Sequence, residues 1–116
     1  MIEQFGLGTD IVSIERFKQK PYKNNKNFYK KIFTNEEISY CLKFKKSSEK
    51  FAGKFAIKEA VVKSIDEKIP FSKIQTSYKN SKPVIAIKTL KGKYQFITSL
   101  SHETDYAIAV VLSLHT

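Results

Sequence analysis

Glu59 and Lys63 would place a carboxylate and an ammonium group on one face of a helix, because residues four apart are neighbours on a helix surface. The small side chains of Ala52 and Ala56 lie beside this pair on the helical wheel and leave space around it. A simple surface ion pair, worth about 0.3 kcal/mol, explains the same spacing. The helix alone therefore leaves a structural pair and a functional pair open.

Lys58 falls inside the predicted apolar stripe of the same helix, which is formed by Phe51, Phe55, Val62 and Ile65. An unpaired charge among apolar side chains is costly. We therefore expect either that its aliphatic stem carries the ammonium out to solvent or that an anionic group meets it.

A predicted strand over residues 5–12 adds another charged group, Asp10, on the same face as Gly6 and Gly8. Glycine weakens a strand and often marks the close approach of another backbone or of a ligand. A bulge, or a tight strand crossing with Asp10 at its end, would give the same pattern. Asp10 is therefore a candidate site residue that the strand alone does not establish.

His102 follows Ser101 near the end of a later predicted strand, where a lone histidine is more often a hydrogen-bonded structural residue than a ligand. Neither the zinc-site spacings HExxH and CxxC nor a Walker-type glycine loop occurs in the sequence. A nucleophilic pair of Cys41 with His102 has no further support in the sequence.

The composition restricts the partners. The net charge of +10 favours acidic partners, yet Arg16 is the only arginine among 21 basic residues. Proteins that recognise base edges rely on the bidentate arginine fork, so a nucleic-acid partner is not expected.

The chain length and the apolar pattern restrict the class of protein. The 116 residues fit one domain, 1–116. The sequence has no run of about 18 apolar residues, so we expect no membrane partner. The first residues lack the basic region of a secretory signal, and Cys41 is the only cysteine, so we expect a cytoplasmic protein without an internal disulfide.

Two predicted helices must position these groups. Thr34 and Glu37 form a capping box, with Phe33 and Ile38 as a hydrophobic staple, for a helix that ends near residue 44. A preceding surface loop from Lys18 should lead into a short helix over residues 27–31.

The second helix is predicted to start at an N-cap provided by Ser47 or Ser48 and to end near residue 65. The last third has the alternation of strands, and residues 90–92 are predicted to join residues 83–89 and 93–101 as a hairpin. An early strand, two helices and then several strands predict an α+β domain.

Several segments, in this order, resemble the bacterial holo-acyl-carrier-protein synthase family. The segment FAGKFAIKEAVVK is the most specific of them. The matching segments are residues 6–16 (GLGTDIVSIER), Phe33-Thr34 with Glu37, residues 51–63, Lys82-Pro83, and residues 99–102 (SLSH) followed by residues 106–109 (YAIA).

The resemblance implies a metal-dependent active site. Asp10 and Glu59 would hold Mg²⁺, or alternatively Mn²⁺, which also binds the diphosphate of coenzyme A, since a hard cation prefers oxygen ligands. Lys63 would contact that diphosphate, and Asp10, Glu59 and Lys63 are the implied catalytic residues. Glu59 or Asp10, through a water on the metal, would take the proton of the attacking serine; the choice between them stays open.

The resemblance also implies a binding site for the rest of coenzyme A. Lys54 and His102 would contact its 3′-phosphate, and Lys58 would support the phosphate or metal cluster. The implied coenzyme A-binding residues are Lys45, Lys46, Lys54, Lys58, Lys63, Ser101 and His102.

The activity implied by the resemblance is transfer of 4′-phosphopantetheine from coenzyme A to a serine of apo acyl carrier protein, a step of fatty acid biosynthesis. The other product would be adenosine 3′,5′-bisphosphate. Arg16 and Lys23 would dock the acidic carrier protein, because complementary charge speeds association and fixes register. The fold would be an antiparallel sheet packed on a long helix, in a homotrimer with coenzyme A between subunits.

Two departures from the family pattern concern particular residues. Lys54 replaces the more usual arginine and lacks its bidentate fork, and Ser81 stands where glycine is usual before Lys82-Pro83. Residues 90–93 are expected to form a short turn where many relatives have a helix.

Two alternatives belong to other classes. A basic nucleic-acid-binding domain would use the +10 charge and stacking aromatics. A non-catalytic relative would bind coenzyme A or a carrier protein without transfer, although Asp10, Glu59 and Lys63 argue against it.

Overall fold

The computed structural model describes residues 2–116, which form an antiparallel sheet packed against one long helix. The strands are β1 (Phe5–Ser13), β2 (Gln75–Lys79), β3 (Lys82–Ala86), β4 (Tyr94–His102) and β5 (Tyr106–His115). The helices are α1 (Glu15–Lys18), α2 (Lys26–Ile32), α3 (Asn35–Leu42) and α4 (Ser47–Ser64), with 3₁₀ turns at Ile2–Gln4, Tyr22–Asn24, Phe71–Lys73 and Lys88–Leu90. The predicted α+β fold is confirmed.

The main sheet has the order β1-β5-β4, and every pairing in it is antiparallel. β2 and β3 form a separate hairpin. Side chains alternate between the two faces of each strand, so one face of the sheet packs on α4 and the other faces outward. Among the described residues, no helix is long and apolar enough to cross a membrane.

α4 is buried on nearly every side, which is more than the predicted apolar stripe required. Ile57, Ala60 and Val61 are buried along with the predicted Phe51 and Phe55. The sheet covers one side of α4, while α1, α3 and the hairpin lie against other parts of its surface. The prediction that only one apolar stripe of α4 faces the core is therefore wrong, because α4 lies at the centre of the domain.

The start of α3 confirms the predicted capping box. The backbone N–H of Glu37 donates to Thr34 Oγ1 at 3.1 Å, and the Thr34 N–H donates to Glu37 Oε1 at 2.9 Å. The predicted serine cap of α4 is wrong: the N-cap position is Lys46, which makes no side-chain capping bond, and Ser47 is already helical.

The hairpin of the last third is not where the sequence pattern put it. β2 and β3 are joined through Asn80 and Ser81, whose φ angles are +52° and +67°. β4 pairs with β5, so residues 90–92 do not join a hairpin. The short turn predicted at residues 90–93 is present: the Lys93 N–H donates to the Leu90 carbonyl oxygen at 3.0 Å, directly after a 3₁₀ turn at Lys88–Leu90.

The segment before α3 has more helix than was predicted. α1 occupies Glu15–Lys18 and α2 occupies Lys26–Ile32. Phe17 and Tyr29 from these helices pack with Phe33 and Phe51 in an aromatic cluster. Apolar side chains at these positions therefore anchor a lysine-rich surface segment to the core.

The left-handed turn residues predict a pair of opposite stability changes. Ser81→Gly should raise the free energy of unfolding by about 0.5 kcal/mol, because relief of left-handed strain exceeds the entropy that glycine adds to the unfolded chain. Gly92→Ala should lower it by about 1 kcal/mol, since φ is +83° there and alanine is strained in this conformation. An added Cβ would meet no atom within 4 Å, so the backbone strain is the whole effect. Urea denaturation of both variants tests this, and changes of the same sign would contradict it.

Candidate active site

The structure brings Asp10 of β1 and Lys63 of α4 together. Lys63 Nζ lies 3.1 Å from Asp10 Oδ1 and 3.1 Å from the carbonyl oxygen of Thr9. The Asp10 side chain is 14% exposed and that of Lys63 is 53% exposed. The pair is therefore open to solvent on the lysine side and sheltered on the aspartate side.

Close packing of β1 on α4 produces this contact. A Cβ on Gly8 would overlap the carbonyl group of Ala60, and a Cβ on Gly6 would overlap that of Ser64. The Ser113 hydroxyl of β5 donates to the same Ser64 carbonyl at 2.8 Å. Only glycine at these two strand positions lets the backbones approach so closely.

The same spacing describes how β1 runs along α4. Gly6 and Gly8 match Ser64 and Ala60, so this step of two strand residues corresponds to one turn of α4. Glu59 is half-buried, precedes Ala60 in the chain and lies one turn before Lys63, the residue that contacts Asp10.

Two carboxylates here fit the oxygen-donor chemistry expected for a divalent cation. Among residues 2–116, no group of three or more His, Cys, Asp and Glu side chains could hold a metal ion. Mg²⁺ commonly takes one or two protein carboxylates and completes its shell with phosphate and water. The donor set of Asp10 and Glu59 suits a metal ion held together with a phosphate-bearing ligand.

His102 forms a second polar contact at the end of β4. Its Nδ1 lies 3.1 Å from Oε1 of Glu49, a residue of the first turn of α4. The two side chains border a cavity of about 500 Å³ that also has Lys50, Tyr78 and Ser81 in its wall. They also border a second cavity, of about 360 Å³, whose lining includes Lys46.

These cavities separate the predicted coenzyme A-binding residues into groups. Lys46 and His102 line the same cavity. Lys45 is exposed next to Lys46 in the chain. Ser101 precedes His102 in β4 and therefore faces the opposite side of the sheet, where its register partner is Ile108.

Lys54 lies in the interior, where its ammonium group is met by groups of the protein itself. Its Nζ donates at 3.0 Å to both the carbonyl and hydroxyl oxygens of Thr76. The rings of Tyr40 and Tyr78 lie 4.9 and 5.2 Å from it. Burial lowers the pKa of this ammonium. The position fits a lysine that ties α4 to β2.

Lys58 is fully buried, and the groups that meet its ammonium lie inside the domain. Its Nζ lies 2.7 Å from Glu37 Oε1 and donates to the carbonyls of Ile32, Phe71 and Ile74 at 3.0, 2.8 and 2.6 Å. These four oxygens exceed the three protons of an ammonium group. The anionic group expected beside Lys58 is an internal carboxylate.

Sequence reasoning missed most of what Glu37 does. It assigned Glu37 to the capping box alone, yet the second carboxylate oxygen accepts the backbone N–H of Thr76 at 2.7 Å and its hydroxyl. The position of Lys58 in the predicted apolar stripe was the sign in the sequence that a buried acidic group must meet it. No pattern in the chain linked that lysine to this particular glutamate.

The Cys41 thiol is fully buried, and burial raises its pKa to about 12. A nucleophilic thiol must reach solvent as a thiolate. Pairing of Cys41 with His102 is therefore excluded, because the thiol is neutral and inaccessible.

The predicted docking residues are both exposed. The guanidinium carbon of Arg16 lies 4.9 Å from the centre of the Phe55 ring. Lys23 borders a surface cavity with Lys20 and Lys26. Arg16 follows the end of β1 that pairs with the start of β5, so it lies at the same end of the sheet as His102.

Comparisons with known proteins give a consistent family. Residues 6–111 match the model of the 4′-phosphopantetheinyl transferase superfamily. The holo-(acyl-carrier-protein) synthase of Mycoplasma mycoides subsp. mycoides is 40% identical over 108 residues, which cover 91% of each chain.

Solved structures agree with the sequence comparison. The holo-(acyl-carrier-protein) synthase of Neisseria meningitidis superimposes with a TM-score of 0.80 at 30% identity, covering 93% of this chain and 96% of the other. That of Helicobacter pylori, solved in complex with coenzyme A, gives 0.76 at 32% identity, covering 90% and 96%.

Two of the lysines of α4, Lys58 and Lys63, should respond differently to removal of their charge. Lys58→Met should destabilise the fold by about 3 to 5 kcal/mol, because it leaves Glu37 buried without its partner. Lys63→Met should cost about 1 kcal/mol or less, since its ion pair is exposed. Urea denaturation followed by circular dichroism measures both, and a stable Lys58→Met protein would contradict the assignment.

Proposed function

The chain belongs to the 4′-phosphopantetheinyl transferase superfamily, and from this premise we propose that it is a holo-(acyl-carrier-protein) synthase. It transfers 4′-phosphopantetheine from coenzyme A to a serine of apo acyl carrier protein. The products are the holo-carrier protein and adenosine 3′,5′-bisphosphate, and the reaction serves fatty acid biosynthesis. The domain that performs it is 1–116, and its place of action is the cytoplasm, where we expect both substrates.

One observation carries the proposed active site: Asp10 lies 3.1 Å from Lys63, which is one turn of α4 after Glu59. Two acids and a lysine at one seam suit a ligand that has both a metal ion and a diphosphate. Asp10 and Glu59 would hold Mg²⁺, with Mn²⁺ as the alternative. When bound, the cation would neutralise the charge that builds up on the phosphoryl oxygens.

Lys63 has a specific part in this arrangement. In the free protein its ammonium neutralises Asp10. More than half of its side chain is exposed, so the ammonium can turn to a diphosphate oxygen when a ligand arrives. Among the described residues, Glu59 makes no ion pair, which leaves its carboxylate available.

The transfer itself forms one bond and breaks another. The serine oxygen of the carrier protein attacks the β-phosphorus of coenzyme A, and the bond from that phosphorus to the bridging oxygen breaks. The electron pair leaves with adenosine 3′,5′-bisphosphate, and the serine proton passes to Asp10 or Glu59 through water. Lys63 orients the diphosphate for this displacement.

The nucleoside end of coenzyme A is assigned to the cavities beside His102. Lys46 and His102 share one of them and would contact the 3′-phosphate, with Lys45 at its exposed rim. Ser101 lies on the outer face of the sheet and would meet the ligand of a neighbouring subunit.

A homotrimer is supported by the apolar outer face of the main sheet. Leu7 is paired with Leu112, which is paired with Ile97, and these side chains form one exposed row. Leu7 is 69% exposed and Ile97 is 71% exposed. Exposed apolar rows of this kind mark interaction surfaces, and copies of the same chain would cover this one.

The carrier protein is the acidic partner that the +10 charge favours. Arg16 lies at the His102 end of the sheet, and Lys23 belongs to the adjoining lysine-rich segment. Both would dock the carrier protein where its serine can reach the diphosphate.

Removal of the Glu59 carboxylate should abolish transfer and leave the fold intact. The purified protein, incubated with apo carrier protein, coenzyme A and Mg²⁺, should add about 340 Da to the carrier protein, and EDTA should stop the reaction. Glu59→Gln should lose this mass gain, because a neutral amide binds a divalent cation weakly. Unchanged turnover of Glu59→Gln would refute the role of Glu59, and no mass gain with the unchanged protein would refute the proposed function.

Reversal of the Arg16 charge should affect one substrate more than the other. Arg16→Glu should raise KM for the carrier protein about tenfold or more, with little change for coenzyme A, because it opposes the acidic partner. Lys93→Glu is the matched control, since this exposed lysine precedes β4 at the end opposite His102. Equal losses for both substrates, or for both variants, would refute the docking role.

A further inference from the structure

Glu49 has no role in the proposed reaction, yet its carboxylate lies against the imidazole ring of His102. The contact joins the first turn of α4 to the end of β4, at 3.1 Å between Oε1 and Nδ1. Both side chains border the same two cavities. We propose that Glu49 is a positioning residue that prepares His102 for the 3′-phosphate of coenzyme A; this rests on the proposed function.

The chemistry of the carboxylate decides which imidazole nitrogen carries a proton. An ionised carboxylate can only accept hydrogen bonds. A neutral His102 ring that donates a hydrogen bond to Glu49 therefore carries its proton on Nδ1. Nε2 is then the nitrogen that remains for a ligand.

A phosphate group at Nε2 imposes a further requirement. A phosphate dianion also accepts hydrogen bonds, so the ring can satisfy Glu49 and the phosphate together only if both nitrogens are protonated. Binding of coenzyme A therefore favours the doubly protonated ring, and any ring that is neutral beforehand gains one proton from solvent. A ligand with a 3′-hydroxyl group makes no such demand, because a hydroxyl can donate to Nε2.

The other charged groups around the imidazole are consistent with an anionic ligand. Lysines outnumber the additional acids, and they come from α1, from the N-cap of α4 and from α4 itself. The titratable and charged groups that line the two cavities are Lys18, Tyr40, Lys46, Glu49, Lys50, Tyr78 and Glu103. In this proposal Glu49 links the protonation of His102, the one histidine of this cluster, to binding of the ligand. The lysines supply the electrostatic attraction for the anionic ligand.

The tautomer of His102 can be measured without any ligand. The chain has two histidines, so His102→Gln assigns the ¹⁵N resonances of the two imidazole rings. At a pH where the ring is neutral, His102 should be the Nδ1–H tautomer, and Glu49→Ala should return it towards Nε2–H. Glu49→Gln should keep the tautomer, since its amide oxygen can still accept from Nδ1–H. Glu103→Ala, which removes another acid from the same cavity, should change nothing.

Binding calorimetry then tests the coupling. For the unchanged protein, the heat of coenzyme A binding should vary with the ionisation enthalpy of the buffer, as uptake of a proton requires. Glu49→Ala should weaken coenzyme A about five- to tenfold and leave dephospho-coenzyme A within about twofold. Glu49→Ala should have no added effect in a His102→Gln background, because Glu49 acts through His102.

The outcomes are separable. An Nε2–H tautomer in the unchanged protein, or equal weakening of both ligands by Glu49→Ala, would overturn the role of Glu49. Failure of the unchanged protein to bind coenzyme A would overturn the proposed function and, with it, this inference.

Discussion

The contact of two strand glycines with the backbone of α4 is the constraint on which the rest of the structure depends. Gly6 and Gly8 let β1 lie directly on the carbonyl groups of Ser64 and Ala60. A side chain at either position would push the sheet away from the helix. The 3.1 Å contact of Asp10 with Lys63, one turn of α4 after Glu59, follows from this packing.

A second set of contacts holds the other side of α4. It consists of an ion pair and hydrogen bonds, whereas β1 is held by close packing of its backbone on the helix. Glu37 accepts hydrogen bonds from Thr34, Thr76 and Lys58, and so links the start of α3, the hairpin and α4. A buried ion pair is a costly way to gain stability, but it permits few alternative arrangements. The hairpin that carries Ser81 beside the His102 cavity is held in place by this network.

Much of the fold could be predicted from local patterns. The period-two glycines of β1 and the capping box of α3 are signals within a few residues, and the structure has both. The β2-β3 hairpin was missed because Asn80 and Ser81 both adopt positive φ without the usual glycine. The extent of burial of α4 was also predicted wrongly. A helix that is covered on several sides does not confine its buried residues to one apolar stripe.

Candidate site residues could be proposed from the sequence where they share one element or a recognisable segment. Glu59 and Lys63 are such a pair. The internal partners of Lys54 and Lys58 could not be predicted, because Thr76 and Glu37 are distant in sequence. Glu49 and His102 were not connected for the same reason, since 53 positions separate them and only the packing of β4 beside α4 brings them together.

The burial of Cys41 has a practical consequence. Its thiol is the only one in the chain, and inside the core it stays protonated and out of reach of alkylating reagents. A cysteine introduced at an exposed position would therefore be the sole site for a maleimide dye in the native protein. Fluorescent labelling at one chosen position needs no removal of the natural thiol, so the core around α3 can remain unaltered.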